Sequence, residues 1–211
     1  MSADEWGPEL WDVLDAEGRP TGQTVARRAD GSDPAAGLPP GVWHRVVAVG
    51  VFNSRDELLI QQRAVDKVEW PGAWDITAGG SVVAGESSQQ GAARELWEEV
   101  GIAYDFTGVP PHLTVTSATE FLDIYLIDLD CDPAALQLQT AEVQAVRWAG
   151  RDEVLALVDA GTMCRYHKPL VELVFALRRS PGWENQLADG SAVRPGRRPQ
   201  PGSQPRQNRP I

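Results

Sequence analysis

An α/β fold built on a mixed β-sheet is what this chain predicts, on three observations. Segments with strand character dominate the chain up to Ala78. A single acid-rich helical stretch follows, then more strand-like segments and two stretches of helical patterning. Strands interrupted by isolated helices suit a sheet with helices on its faces. The 211 residues suffice for one ordinary domain with a sizeable core.

The elements follow in order. Residues 11–14 and 21–26 flank the turn Asp15-Ala-Glu-Gly18 and read as an N-terminal hairpin. Residues 27–41 are rich in Gly, Pro, Ala and Asp and read as a loop. The near-continuous apolar run 46–52 marks a buried strand. Asn53-Ser-Arg-Asp56 turns the chain, and 57–63 returns as a second hairpin arm. Residues 65–74 form a loop holding Trp70-Pro-Gly72 and Trp74, and 75–78 a short strand. A new strand region is expected from Ile102, a hairpin-like pair over 112–116 and 120–129, and a last strand over 142–148. Residues 151–160 and 169–178 have helical patterning. The expected organisation is a hairpin and loop over 1–40, a main domain over 41–180, and a Pro/Arg-rich disordered tail over 181–211.

Composition narrows the function. The formal net charge of −11 argues against a nucleic-acid duplex as partner. No apolar run is long enough to span a bilayer, and residues 1–10 lack the basic and apolar regions of a signal peptide. Cys131 and Cys164 make no disulfide framework, and Cys164-x-x-His167 is too small for a zinc site. A cytoplasmic protein is the expectation, with a homodimer left open.

The chemistry concentrates between Gly80 and Ile102, in the pattern G-x5-E-x7-R-E-L-x-E-E-x-G-I. Ser87 with Gln90 has capping-box spacing, and Gly101 stands where a helix stops in a left-handed conformation. Glu95, Glu98 and Glu99 stand at i, i+3 and i+4, on one helical face. Three like charges so placed repel unless something neutralises them, and oxygen-only ligands suit Mg²⁺ or Mn²⁺. Taken alone, the acids also fit a solvated helix face. Ala93, Leu96, Trp97 and Val100 are expected to anchor the opposite face.

With every defined position filled, the stretch resembles the signature box of the Nudix hydrolases. The resemblance implies an α/β/α sandwich with a mixed sheet, carrying the N-terminal hairpin as an extension. It implies hydrolysis of a small-molecule diphosphate with Mg²⁺ or Mn²⁺. In the family, residues matching Glu95, Glu98 and Glu99 bind metal or activate water, and the glycine matching Gly80 offers its carbonyl to a metal. Arg94 matches an arginine that orients a catalytic glutamate. Glu86 matches an acid that supports the loop or a further metal. Glu142 stands where many members keep an acid outside the box, as base or ligand.

A wider stretch, 44–53, 58–67 and 70–74, is similar to the isopentenyl-diphosphate isomerase branch. There the histidine matching His44 binds metal, and the pair matching Arg63 and Lys67 grips the diphosphate. Arg and Lys suit that task as a fork and a point charge. Trp70 and Trp74 are candidates to stack on a base or an isoprenoid chain, or to pack the loop. Asp123 lies near a further acid of that branch. The departures bear on the reaction. Gly79 stands where the isomerases carry a catalytic cysteine, and Ser81 where they carry a metal-binding histidine. Glu95 and Glu98 stand where isomerases lose box acids. The expectation is an isomerase-like hydrolase acting on a nucleoside diphosphate or related organic diphosphate. The alternatives are a prenyl-diphosphate hydrolase or isomerase, and a silent nucleotide sensor.

Overall fold

The structure, a computed structural model, describes residues 9–26, 38, 41–164 and 166–178. The expected tail over 181–211 lies outside the described residues, as does most of the loop before Gly41.

The N-terminal hairpin forms as expected, from β1 (Leu10–Leu14) and β2 (Pro20–Ala26) in antiparallel register. The Asp15 carboxylate closes its turn by accepting from the backbone N–H groups of Glu17 and Arg19. This is the Asx-type bonding that makes aspartate a turn residue. Trp11, Val13 and Leu14 are buried, and Leu14 exchanges backbone bonds with Trp43 at the edge of the main body.

The main sheet has seven strands: β3 (His44–Phe52), β4 (Leu58–Arg63), β5 (Trp74–Asp75), β6 (Ala78–Ser81), β7 (Leu113–Thr116), β8 (Glu120–Asp128) and β9 (Val143–Ala149). The order β5-β4-β3-β8-β7 carries β6 beside β3 and β9 beside β4. β3 and β8 are parallel and the other pairs antiparallel, so the sheet is mixed.

Strand alternation sorts the side chains onto two faces. On one, Val47, Val49, Val51, Leu59, Ala78 and Tyr125 pack against Ala92, Leu96 and Val100 of α1 (Ser88–Val100). On the other, Ala48, Phe52, Ile60, Ile124 and Leu126 pack against Val154 of α2 (Arg151–Asp159) and Val171 and Val174 of α3 (Lys168–Leu177). The result is an α/β/α sandwich. Burying Leu96 alone, fully enclosed, contributes roughly 1.5–3 kcal/mol.

Two expectations change. The single strand over 75–78 is split into β5 and β6. Thr77 is the cause: its buried hydroxyl accepts from Val51 N–H and donates to Leu59 C=O. That side chain takes the place of a ladder bond between β3 and β4, which pair only at Phe52 and Leu58. β6 then fills the gap beside β3. Nor does a strand begin at Ile102. Ile102 and Phe106 are buried against the α1 face of the sheet, and irregular chain leads to β7.

Candidate active site

α1 is capped as its sequence indicates. Ser87 accepts from Gln90 N–H, the Gln90 side chain returns a bond to Ser87 N–H, and Gly101 closes the helix at φ 73°. Ala92, Leu96 and Val100 lie on its buried stripe. The acids lie at the edge of that stripe. Glu99 is buried, the Glu95 side chain is 12% exposed, and that of Glu98 is 48% exposed. Trp97 does not anchor the helix: it is exposed, and Glu99 takes the buried position instead. A 100° step per residue carries Trp97 from the Leu96 stripe to the solvent side.

Arg94 sits among the acids. Its guanidinium donates to Glu86 at 3.0 Å, Glu95 at 2.7 Å, Glu98 at 3.2 Å and the Ser81 carbonyl at 3.0 Å. Burial works against its charge, but Glu86 and Glu95 outweigh this and hold its pKa above the ordinary range. Burial pushes Glu95 from 4.5 up to about 7; Arg94 opposes that rise, and Glu98 and Glu9 add to it. Burial also pushes Glu99 well up, helped by Glu95 and Asp75 and opposed by bonds from Gly79 N–H and Gln61. Both carboxylates therefore sit in surroundings that disfavour their charged form, chiefly through burial. Among the described residues, no three His, Cys, Asp or Glu side chains stand in a ready-made metal cage. The acids that Arg94 holds would have to turn from it to form one.

β6 brings two glycines against this cluster. A β-carbon on Gly80 would fall 2.4 Å from Glu95 Oε1, so the carboxylate occupies the space a side chain would need. A β-carbon on Gly79 would fall 2.8 Å from the Val47 carbonyl. Gly79 also donates its N–H to Glu99 Oε2 at 3.1 Å.

The outlying candidates separate. His44 is not brought to the carboxylates. It lies with Ala48 on the opposite face of β3, by alternation. It is buried, stacked on Trp11 at 4.4 Å between ring centroids, with Nδ1 3.2 Å from the Thr119 carbonyl. Arg63 lies 3.6 Å from Asp75 and donates to the Glu69 carbonyl. Lys67 is paired with Glu142, so the expected substrate lysine and the expected outside acid hold each other. Trp74 is fixed in β5, with Arg147 stacked 4.5 Å over its ring. Trp70 is exposed, at φ 53°. Asp123 is buried and accepts from Arg45, Ser88 and Thr114, each at 2.6 Å. It ties the first turn of α1 to the sheet.

A NUDIX domain model matches residues 42–173, more than half of the chain. The chain belongs to the Nudix family. An uncharacterized Nudix hydrolase of Listeria monocytogenes is 37% identical over 158 residues, 75% of this chain and 89% of that protein. An isopentenyl-diphosphate Delta-isomerase of Nocardia farcinica is 35% identical over 144 residues, 64% of this chain and 81% of that protein. The crystal structure of DR0079 from Deinococcus radiodurans shares the fold, with a TM-score of 0.62 at 23% identity over 80% of this chain and 99% of that one. This Nudix chain is a hydrolase, and relatives of its sequence include isomerases. Nudix enzymes act on small-molecule diphosphates and generally use divalent metal ions. No helix among the described residues is long and apolar enough to cross a membrane.

The Nudix site also holds residues that the sequence reading passed over. Gln61, on β4, donates to Glu99 Oε2 at 2.9 Å. Asp75, opposite Gln61 in register, acts on Glu99 through space. Glu9, ahead of β1, acts likewise on Glu95. Only Gln61 left a signal: it is a polar residue at the same strand parity as buried Leu59. A cleft of about 430 Å³ beside α1, lined by Ser87, Gln90, Ala93, Asp105 and Phe106, includes none of Glu86, Glu95, Glu98 and Glu99. Charge, not cavity size, locates the candidate site.

Proposed function

We propose that the chain hydrolyses the diphosphate bond of an organic diphosphate of the nucleoside-diphosphate type, using Mg²⁺ or Mn²⁺. The observation that carries this reading is the pair of buried carboxylates, Glu95 and Glu99, whose burial raises their demand for a positive charge. Hard oxygen donors in that state fit a small dication. Glu95, Glu98 and Glu99 would hold it, with the Gly80 carbonyl and Glu86 as further oxygens beside them. Such an ion supplies charge neutralisation at the diphosphate and a bound water of lowered pKa.

The chain's own groups do the rest. Gly79 N–H and Gln61 fix Glu99. Arg94 fixes Glu86 and Glu95. Glu98 is the box acid most open to water, and it suits the role of proton acceptor. Arg63 and Lys67 meet the diphosphate by exchanging Asp75 and Glu142 for phosphate oxygens. Gly79 supports hydrolysis over isomerisation because it brings no thiol for a proton relay, and a β-carbon there would fall 2.8 Å from the Val47 carbonyl. A second reading concerns the leaving group. Val65, Val68 and Trp70 are exposed on the loop that carries Lys67, which favours a prenyl chain as the alternative.

The test is a panel of nucleoside and prenyl diphosphates with Mg²⁺ or Mn²⁺, reading released phosphate. Glu98→Gln is expected to reduce turnover by about 10²–10⁴-fold with an unchanged melting profile. Release of phosphate from none of the panel, or full activity in Glu98→Gln, overturns the reading.

A further inference from the structure

Gln61 is a misfit in its surroundings. It lies on β4 between fully buried Ile60 and the partner strand of Asp75, and only 2% of it is exposed. Its amide nitrogen has a clear task, the 2.9 Å bond to Glu99 Oε2. Its amide oxygen has none. Among the described residues, Gln61 Oε1 is the buried side-chain oxygen or nitrogen left without a hydrogen-bond partner. Buried polar atoms nearly always find partners, so an exception calls for a physical account. A leucine would fill this position at lower cost, since the neighbouring side chains Leu59 and Ile60 are apolar and enclosed. Turning the amide over does not help, because that sets oxygen against the Glu99 carboxylate and orphans the NH₂ group.

The account lies in what surrounds the amide. The oxygen is enclosed, and it belongs to the same planar amide as the nitrogen that holds Glu99, so it lies within one amide's width of that carboxylate. Glu95 and Asp75 both act through space on the Glu99 carboxylate that this amide holds, and Asp75 stands opposite Gln61 in register. An amide oxygen is a hard neutral donor of the kind that joins carboxylates around Mg²⁺, Mn²⁺ or Ca²⁺. We propose that Gln61 is an oxygen donor of the carboxylate site, its N–H fixing Glu99 and its carbonyl oxygen meeting the cation that the site takes. This rests on the metal-dependent reading above. It makes the strand β4, and not only the box, part of the centre.

The experiment uses the full chain and Mn²⁺ itself as the probe. Free Mn²⁺ is followed by electron paramagnetic resonance, and thermal melting is recorded in EDTA. Gln61→Leu is expected to weaken Mn²⁺ binding by about tenfold or more. Its melting temperature in EDTA is expected to equal or exceed that of the wild type, because the unpaired oxygen is gone. Gln61→Glu keeps an oxygen and adds charge. It is expected to melt lower in EDTA and to bind Mn²⁺ at least as tightly as the wild type. A purely structural glutamine predicts weaker binding in both variants. Mn²⁺ affinity in Gln61→Leu within about twofold of wild type overturns the proposal, as does weaker binding in Gln61→Glu. Should Gln61→Leu not fold, Gln61→Glu decides alone. A wild type that binds no Mn²⁺ overturns the metal-dependent reading as well. Binding that Glu98→Gln abolishes and Gln61→Leu spares overturns only the role of Gln61.

Discussion

Replacing Glu95 with glutamine should stabilise the metal-free protein while removing its activity. Burial lifts the Glu95 pKa from 4.5 to about 7. A group whose folded pKa is raised contributes stability that is present below the unfolded value and lost as pH rises through the folded one. Above pH 7 the ionised side chain therefore costs the fold about 3 kcal/mol, at roughly 1.4 kcal/mol per pKa unit. Glutamine keeps the shape and carries no charge. It weakens the 2.7 Å bond from Arg94, a loss of about 1 kcal/mol. The balance favours Glu95→Gln by about 2 kcal/mol at pH 8, or about 4–8 °C in melting temperature for a domain of this size. At pH 5 most of the cost is already relieved by protonation, and the gap should close. The assay is calorimetric or circular-dichroism melting in EDTA at both pH values, then again with Mn²⁺. Added Mn²⁺ should raise the melting point of the wild type and leave Glu95→Gln little changed. A Glu95→Gln protein that melts below wild type at pH 8 in EDTA would refute the claim that this carboxylate is held against its own stability.

Other predictions follow from the same geometry. Gly80→Ala places a β-carbon in the space of the Glu95 carboxylate; the flexible side chain should yield, leaving melting nearly unchanged and lowering turnover by about tenfold or more in the diphosphate assay. Gly79→Cys meets backbone at Val47 O, so it should destabilise by about 1–3 kcal/mol in a denaturant titration and yield no isomerised product by chromatography. Trp70→Gly relieves a left-handed φ of 53° and should raise stability by about 1 kcal/mol, while changing the ranking of nucleoside against prenyl diphosphates.

What could be read from the sequence was local. The cap at Ser87 and Gln90, the stop at Gly101 and the acid spacing on α1 each depend on residues within one turn or a few of one another, and the structure reproduces them. The hairpin at Asp15 and the apolar strand β3 are legible for the same reason. The rest depended on tertiary neighbours. Lys67 and Glu142 meet across 75 positions of chain, and no pattern within either segment announces the pair. Trp11 stacks on His44 across 33 positions of chain, a contact that no local pattern around either residue announces. Thr77 splits a strand through two bonds to β3 and β4 that only the folded sheet provides. Trp97 differs for another reason: a step of one residue on a helix exchanges a buried stripe for an exposed one, so Trp97 is exposed while Glu99 is buried.

Arg94 is a single guanidinium facing Glu86, Glu95 and Glu98, with Glu99 buried behind them. The two cations that would receive a diphosphate are already engaged, Arg63 by Asp75 and Lys67 by Glu142. The chain as a whole carries −11. A bare diphosphate approaching this cluster therefore meets net negative charge beside buried carboxylates, where repulsion is poorly screened. On the proposed metal-dependent reading the acids do not relieve this by protonation, since they then lose their charge as ligands, and cations would neutralise the site before or together with the substrate. The same neutralisation frees Asp75 and Glu142 to release Arg63 and Lys67, because their negative charge is then no longer the nearest partner on offer. On this reasoning the ion pairs at Arg63 and Lys67 are resting contacts, and the burial of Glu95 and Glu99 is what makes the resting state give way.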